Sequence, residues 1–301
     1  MLLVLKGMGM GAADVIPGVS GGTVAFIVGI YEELINSIKS INLSALKLFF
    51  TGKFASFWKA INGNFLISVL IGIGISIFSL AKILGHLLHN YPILVWSFFF
   101  GLIIASTVYV VRTIKVWKPG TAIAAIAGIA VAYFITIISP AEANTTWWFI
   151  FVSGSIAICA MILPGISGSF ILVLLGMYRF ILGAVSDFNI AVLLVFIAGA
   201  AIGIIAFSNL LSWLLKNYHN LTIAILAGFM VGSLNKVWPW KKVTETFIDR
   251  HGEVKSLAET NVFPGTYEQI TNQSPMLAAA ILLAIGGFAL IFVIEGMTSK
   301  K

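Results

Sequence analysis

Two stretches of the chain carry residues able to hold an anion, and they are copies of one another. Residues 15–31 read VIPGVSGGTVAFIVGIY and residues 162–178 read ILPGISGSFILVLLGMY. Pro17, Gly18, Ser20, Gly21, Gly29 and Tyr31 match Pro164, Gly165, Ser167, Gly168, Gly176 and Tyr178 at one constant spacing. Chance likeness between apolar helices scatters Leu and Ile matches, whereas an identical Pro-Gly-x-Ser-Gly core with a distant Gly and Tyr in register marks an internal repeat. Proline and glycine break a helix and free backbone N–H groups, and Gly18, Gly21, Gly22, Gly165 and Gly168 let a ligand approach the backbone closely. Helix resumes just past each turn, so partial positive charge points back into it. Ser20, Thr23, Ser167 and Ser169 add hydroxyl donors. Two such turns facing each other make a neutral, donor-rich cradle for a phosphate or similar anion. One copy alone reads as a packing kink; two in register, flanked by polar residues, favour binding.

Few ionisable residues stand near these turns. Asp14, three residues before Pro17, is the deepest carboxylate, and Met161 replaces it in the other repeat. It is either a proton carrier or a cap on the neighbouring half-helix. Glu32, a second proton-coupling candidate, and Arg179 follow the matched tyrosines, ~18 Å along a helix from each motif serine and so at headgroup level. In an inverted arrangement they face opposite leaflets, where Arg179 captures a phosphate headgroup or merely snorkels. His86, His89, His219 and His251 lack metal-ligand spacing, so no metal, cofactor or catalytic role is assigned. Cys159, the single cysteine, sits among apolar neighbours as a packing residue.

The elements that position these groups are apolar and long. Residues 65–84, 93–111, 121–138, 190–211, 221–237 and 276–294 each approach the ~20 helical residues that cross a ~30 Å hydrocarbon core. Two further apolar regions, 8–38 and 149–185, contain the broken motifs. The duplication continues at a shorter spacing, with Asn90, Tyr91, Gly101 and Ser106 matching Asn217, Tyr218, Gly228 and Ser233. The difference places an insertion at residues 43–64, whose lysines alternate with Phe and Trp as in an interfacial amphipathic helix on the cytoplasmic side.

Charge placement orients the broken segments. Lys6 precedes the first and Lys39, Lys47, Lys53 and Lys59 follow it, and positive loops favour the cytoplasm. A single crossing separates these groups; two crossings need more than the ~46 Å that residues 8–38 reach as continuous helix. A re-entrant hairpin satisfies both limits. Three spans then follow, placing Arg112, Lys115, Lys118, Lys216, Lys300 and Lys301 inside and residues 139–146 and 238–275 outside, with Trp147, Trp148, Trp238 and Trp240 as an interfacial belt. Three spans per half invert the second half relative to the first. The expected fold is therefore an all-α polytopic membrane protein of two inverted-topology repeats, residues 1–146 and 147–301, each a re-entrant helical hairpin plus three transmembrane helices, with both termini cytoplasmic.

Composition agrees with this class. Of 301 residues, 59% are apolar and only 10% charged, against about 25% charged in soluble domains. A soluble enzyme, a disordered chain and a nucleic-acid-binding module are excluded, and the net charge of +7 is chiefly a topology signal.

The segments GAADVIPGVSGGTVAFIVGIYEELI and ICAMILPGISGSFILVLLGMY resemble the two signature repeats of a bacterial family once known only as a domain of unknown function and since assigned as polyprenyl-phosphate translocases (PopT). The likeness spans nearly the whole chain. It implies that the partner is a polyprenyl-phosphate lipid in the bacterial plasma membrane, and that undecaprenyl phosphate returns from the outer to the inner leaflet for cell-envelope synthesis. Two other readings remain. Undecaprenyl-diphosphate phosphatases also have inverted repeats and a Pro-Gly-x-Ser motif, but there arginine follows, where Gly21 and Gly168 stand here, and their glutamate-rich partner motif is missing. A transporter of a small anion would carry the same cradle.

Overall fold

The structure, a computed structural model, describes residues 2–15, 19–248 and 254–298. The first half comprises α1 (Leu2–Asp14), α2 (Gly21–Ile27), α3 (Tyr31–Lys39), α4 (Leu43–Phe50), α5 (Phe54–Ala60), α6 (Gly63–Asn90), α7 (Pro92–Arg112) and α8 (Pro119–Ile137). The second comprises α9 (Trp147–Ile162), α10 (Gly168–Leu174), α11 (Tyr178–Ser186), α12 (Ile190–Asn217), α13 (His219–Ser233), β1 (Lys241–Ile248), β2 (Val254–Asn261), α14 (Pro264–Thr271) and α15 (Leu277–Thr298). The duplication extends to element length: α2 and α10 have 7 residues each, α3 and α11 have 9, and α6 and α12 have 28.

This is an all-α polytopic membrane protein. Among the described residues, α6, α7, α8, α12 and α15 are long and apolar enough to cross a membrane. Phe78 on α6, Ile126 on α8, Leu194 on α12 and Leu282 on α15 are exposed, as lipid-facing side chains should be. The inner helices are α7 and α13, whose buried hydroxyls would be orphaned in lipid. Each is satisfied within its own helix: Ser97, Ser106, Thr107 and Thr222 donate to the carbonyl four residues earlier. The span expected at residues 221–237 is shorter than its hydropathy suggested. α13 has 15 residues, ~22 Å, because past Ser233 the backbone tightens into turns, Leu234 N–H bonding to Val231 O and Lys236 N–H to Ser233 O.

Duplicated glycines make the helix crossings. Gly7 and Gly72 let α1 touch α6, each facing the other helix's backbone, and Gly154 and Gly199 do the same for α9 and α12. Gly101 faces the Ala284 carbonyl and Gly287 the Phe98 carbonyl where α7 meets α15; Gly228 faces Ala125 and Gly128 faces Ile225 where α13 meets α8. A methyl group at these sites would collide with backbone, so small residues set the helix distance. The last two crossings are exchanged: each half's third span packs on the other half's second span. The halves therefore interlock.

Two sequence expectations need correction. Residues 238–275 are not a plain loop: β1 and β2 pair antiparallel and α14 follows. Trp238 and Trp240 do not form a belt here. Trp240 packs with Ile93 and Ala280, and both indoles donate inward, Trp238 to Val262 O at 2.9 Å and Trp240 to Pro275 O at 2.9 Å. Trp147 and Trp148 are exposed, as a belt requires. The insertion forms α4 and α5, with Leu43, Phe50, Phe54 and Trp58 exposed beside Lys47, Lys53 and Lys59.

Candidate functional site

Each interrupted segment breaks twice. The first break is the expected turn, residues 163–167 between α9 and α10, with its counterpart between α1 and α2; Pro17 and Gly18 lie outside the described residues. The second break follows seven helical residues, at Gly29 and Gly176, whose φ values of 68° and 70° suit glycine. There α10 and α11 bend by 111°. This corrects the placement of Glu32 and Arg179, which do not stand ~18 Å along one continuous helix. Glu32 instead meets His219 across the halves at 3.3 Å, with both side chains partly exposed. Arg179 is exposed on α11, beyond the bend at Gly176.

The two turns meet inside the protein. Ser20 is 1% exposed and Thr23 0%, so their polar atoms must find partners in the protein. Ser20 Oγ caps α2 by accepting the Gly22 N–H at 3.1 Å and lies 3.0 Å from Met161 O and 3.1 Å from Leu163 O, to which it donates. Thr23 Oγ1 accepts the Gly165 N–H at 3.0 Å, and the buried Tyr31 hydroxyl donates to Ile162 O at 3.3 Å. Gly22 presses on the Ile162 carbonyl, leaving no room for a side chain. Asp14 accepts the Gly21 N–H at 2.7 Å through Oδ1, the geometry of a cap on α2. At the first turn the Ser20 hydroxyl is thus spent on the second turn and the Gly21 N–H on Asp14, while Thr23 serves the second turn as an acceptor.

The second turn has a different outlook. Gly165, at φ 85°, lies against the Met230 backbone of α13. Pro164 precedes it, and Gly168 begins α10 against the Ala157 carbonyl. Ser167 and Ser169 pair with each other at 2.8 Å. A pair of hydroxyls spends one proton on the mutual bond and leaves the other for an outside acceptor. Gly165, Ile166, Ser167 and Phe170 line a cleft completed by Ala132, Ile135 and Thr136 of α8, Ser233 of α13, and Lys236.

Lys236 escaped the sequence reading because it follows α13 in what reads as an external loop. The loop is tied down by Asn261, which donates to Asn235, by Asn235 donating to Thr136 at 2.7 Å, and by the inward indoles. Lys236 Nζ stands over the Phe170 ring at 4.6 Å. Nearby, Lys241 Nζ is 3.3 Å from Glu259 and donates to Lys236 O at 2.8 Å. Burial pushes the Lys241 ammonium down to about 8, with Glu259 opposing and Lys236 adding to the fall. Burial also lowers Lys236, again against the pull of Glu259. The signal that could have found Lys236 was the repeat itself: Tyr109 and Lys236 stand equally far beyond the matched Gly101 and Gly228.

Among the described residues no group of three or more His, Cys, Asp or Glu converges as a metal site. The model of the VCA0040-like family, described as undecaprenyl phosphate translocase-like, matches residues 10–255. The chain is 46% identical over 296 residues to a polyprenyl-phosphate transporter of Vibrio cholerae, covering 98% of this chain and 96% of that one. It is 35% identical over 254 residues to a polyprenyl-phosphate transporter of Staphylococcus aureus, covering 78% and 85%. No solved structure matches it. With that match and these near full-length likenesses, the chain belongs to the undecaprenyl phosphate translocase-like family.

Proposed function

We propose that this protein carries polyprenyl phosphate, in the form of undecaprenyl phosphate, from the outer to the inner leaflet of a bacterial plasma membrane. The halves lie inverted, both termini are cytoplasmic, and the segments around the two turns enter from opposite faces. The observation that carries this reading is the direct engagement of the turns, with the Gly165 N–H on Thr23 and the Ser20 hydroxyl on the carbonyls of residues 161 and 163. A phosphate crossing between the turns competes for those donors, so they open one face and close the other by exchanging partners. The polyprenyl tail stays in lipid outside the helices, and Asp14 and Glu32 are the carboxylates available for proton coupling.

Transport fits this site better than phosphoryl transfer. Ser20 donates to carbonyls and Ser167 pairs with Ser169, so neither hydroxyl addresses a base that would make it a nucleophile. The test is translocation of undecaprenyl phosphate in proteoliposomes of the full chain. Ser20→Ala and Ser167→Ala are each expected to slow it by about ten-fold, the cost of a hydrogen bond to a charged ligand, without phosphate release from undecaprenyl diphosphate. Unchanged rates in both variants would refute the role of the turns, and phosphate release would favour the phosphatase reading.

A further inference from the structure

We propose that Lys236, together with the Ser167–Ser169 hydroxyl pair, forms the site that binds the phosphate monoester headgroup. The inference rests on the transport reading above and adds the residue that recognises the charge. Two lysines, Lys236 and Lys241, are brought together by the loop and β1, and among the described residues Glu259 is the carboxylate that answers both. Glu259 pairs with Lys241. Among the described residues Lys236 Nζ makes no salt bridge and no hydrogen bond; it lies on the Phe170 ring.

Two ammoniums that share the Glu259 carboxylate are short of one counter-charge among the described residues, because desolvation costs more than a cation–π contact of about 0.5–2 kcal/mol returns. An anion supplies the missing charge. Ser167 of the hydroxyl pair lines the same cleft, and a phosphate oxygen accepts the proton that the pair leaves over. The cleft holds a volume of about 10 Å³, room for one water. The headgroup therefore enters as Lys236 swings off Phe170, and Phe170 serves as the resting place of the ammonium. The cleft lies beside α8, whose outer side exposes Ile126 and Phe134, leaving a place for the tail in lipid.

The test measures lipid retention by native mass spectrometry on the detergent-solubilised full chain, with undecaprenyl phosphate, undecaprenol and inorganic phosphate as probes. Wild type is expected to prefer undecaprenyl phosphate over undecaprenol. Lys236→Gln should weaken undecaprenyl phosphate by about ten-fold or more, and Lys236→Arg should recover to within about three-fold because the charge is kept. Lys242→Gln, which removes an exposed charge from the neighbouring β1, should change nothing. Equal retention by Lys236→Gln and wild type overturns the site while leaving transport intact if translocation persists. Should Lys236→Gln fail to fold, acylation of Lys236 in wild type decides: undecaprenyl phosphate protects it and undecaprenol does not, and absence of protection overturns the proposal. If inorganic phosphate protects as well as the lipid and wild type moves no lipid, the anion site stands and the lipid reading falls.

Discussion

The two turns share one sequence motif and have opposite chemistry. The first carries Asp14 and has Gly22 pressed onto the Ile162 carbonyl; at the matching positions the second carries Met161 and Ser169. Tyr109 stands in the first half where Lys236 stands in the second. The first turn is therefore closed in: its carboxylate caps its own half-helix, and its buried hydroxyls engage the facing chain, Ser20 as donor and Thr23 as acceptor. The second keeps a hydroxyl proton and a cation on a cleft. Duplication preserved the parts that set helix distance, the glycine crossings and the bends at Gly29 and Gly176, and let the charges diverge. On the proposal above, the headgroup docks at the second turn while the first is held closed against it.

The sharpest way to break this comparison is to exchange the residues that differ. Gly22→Ser puts a side chain into the Ile162 carbonyl and should destabilise the protein by about 1–3 kcal/mol and abolish most translocation, read by thermal unfolding and in proteoliposomes. Ser169→Gly should leave the melting temperature near wild type while weakening phosphate-lipid retention. Equal damage from both would mean that the turns are equivalent.

A smaller effect is expected at Asp14. Asp14→Ala removes the acceptor for the Gly21 N–H and should cost about 0.5–2 kcal/mol. Asp14→Asn keeps an acceptor oxygen and should restore both stability and most of the translocation rate. A stable Asp14→Asn protein that moves no lipid would make the carboxylate a proton carrier and the first turn an active partner.

The smallest effect is in pH. Burial holds Lys241 down to about 8, below its ordinary 10.5, and lowers Lys236 as well. The unfolded chain therefore binds more protons in that range, so stability around these lysines is least below pH 8 and rises as pH climbs toward the ordinary lysine value. A bound phosphate supplies the missing negative charge, so its gain in hydrogen-exchange protection at residues 235–243 should be larger at pH 7 than at pH 9.5. An equal gain at both would remove the lysines from the site.

Much of this was legible in the sequence, and what was missed has physical causes. Apolar run length gave the spans, and the Pro-Gly-x-Ser-Gly copies gave the paired breaks. The second break was hidden because Gly29 and Gly176 stand in apolar runs, where a helical glycine and one at positive φ look alike. The exchanged pairing of α8 with α13 and α15 with α7 depends on contacts between distant segments, which periodicity does not encode. Trp238, Trp240 and Lys236 were misread as surface residues because a β hairpin, carrying no strong hydropathy signal, folds them against α7, α8 and α14. Arg179 looked like the natural phosphate cation from its place beyond the motif; the bend at Gly176 carries it onto α11, while the chain after α13 returns Lys236 to the motif itself.

The central claim, that the headgroup docks at the second turn before it crosses between the two, is tested most directly by photo-crosslinking. A polyprenyl phosphate bearing a diazirine next to the phosphate, activated on the reconstituted full chain and mapped by mass spectrometry, should label α8 near Thr136, α10 near Phe170 and the chain around Ser233 and Lys236. Labelling concentrated on α2 and the end of α1, around Asp14 and Thr23, would contradict it.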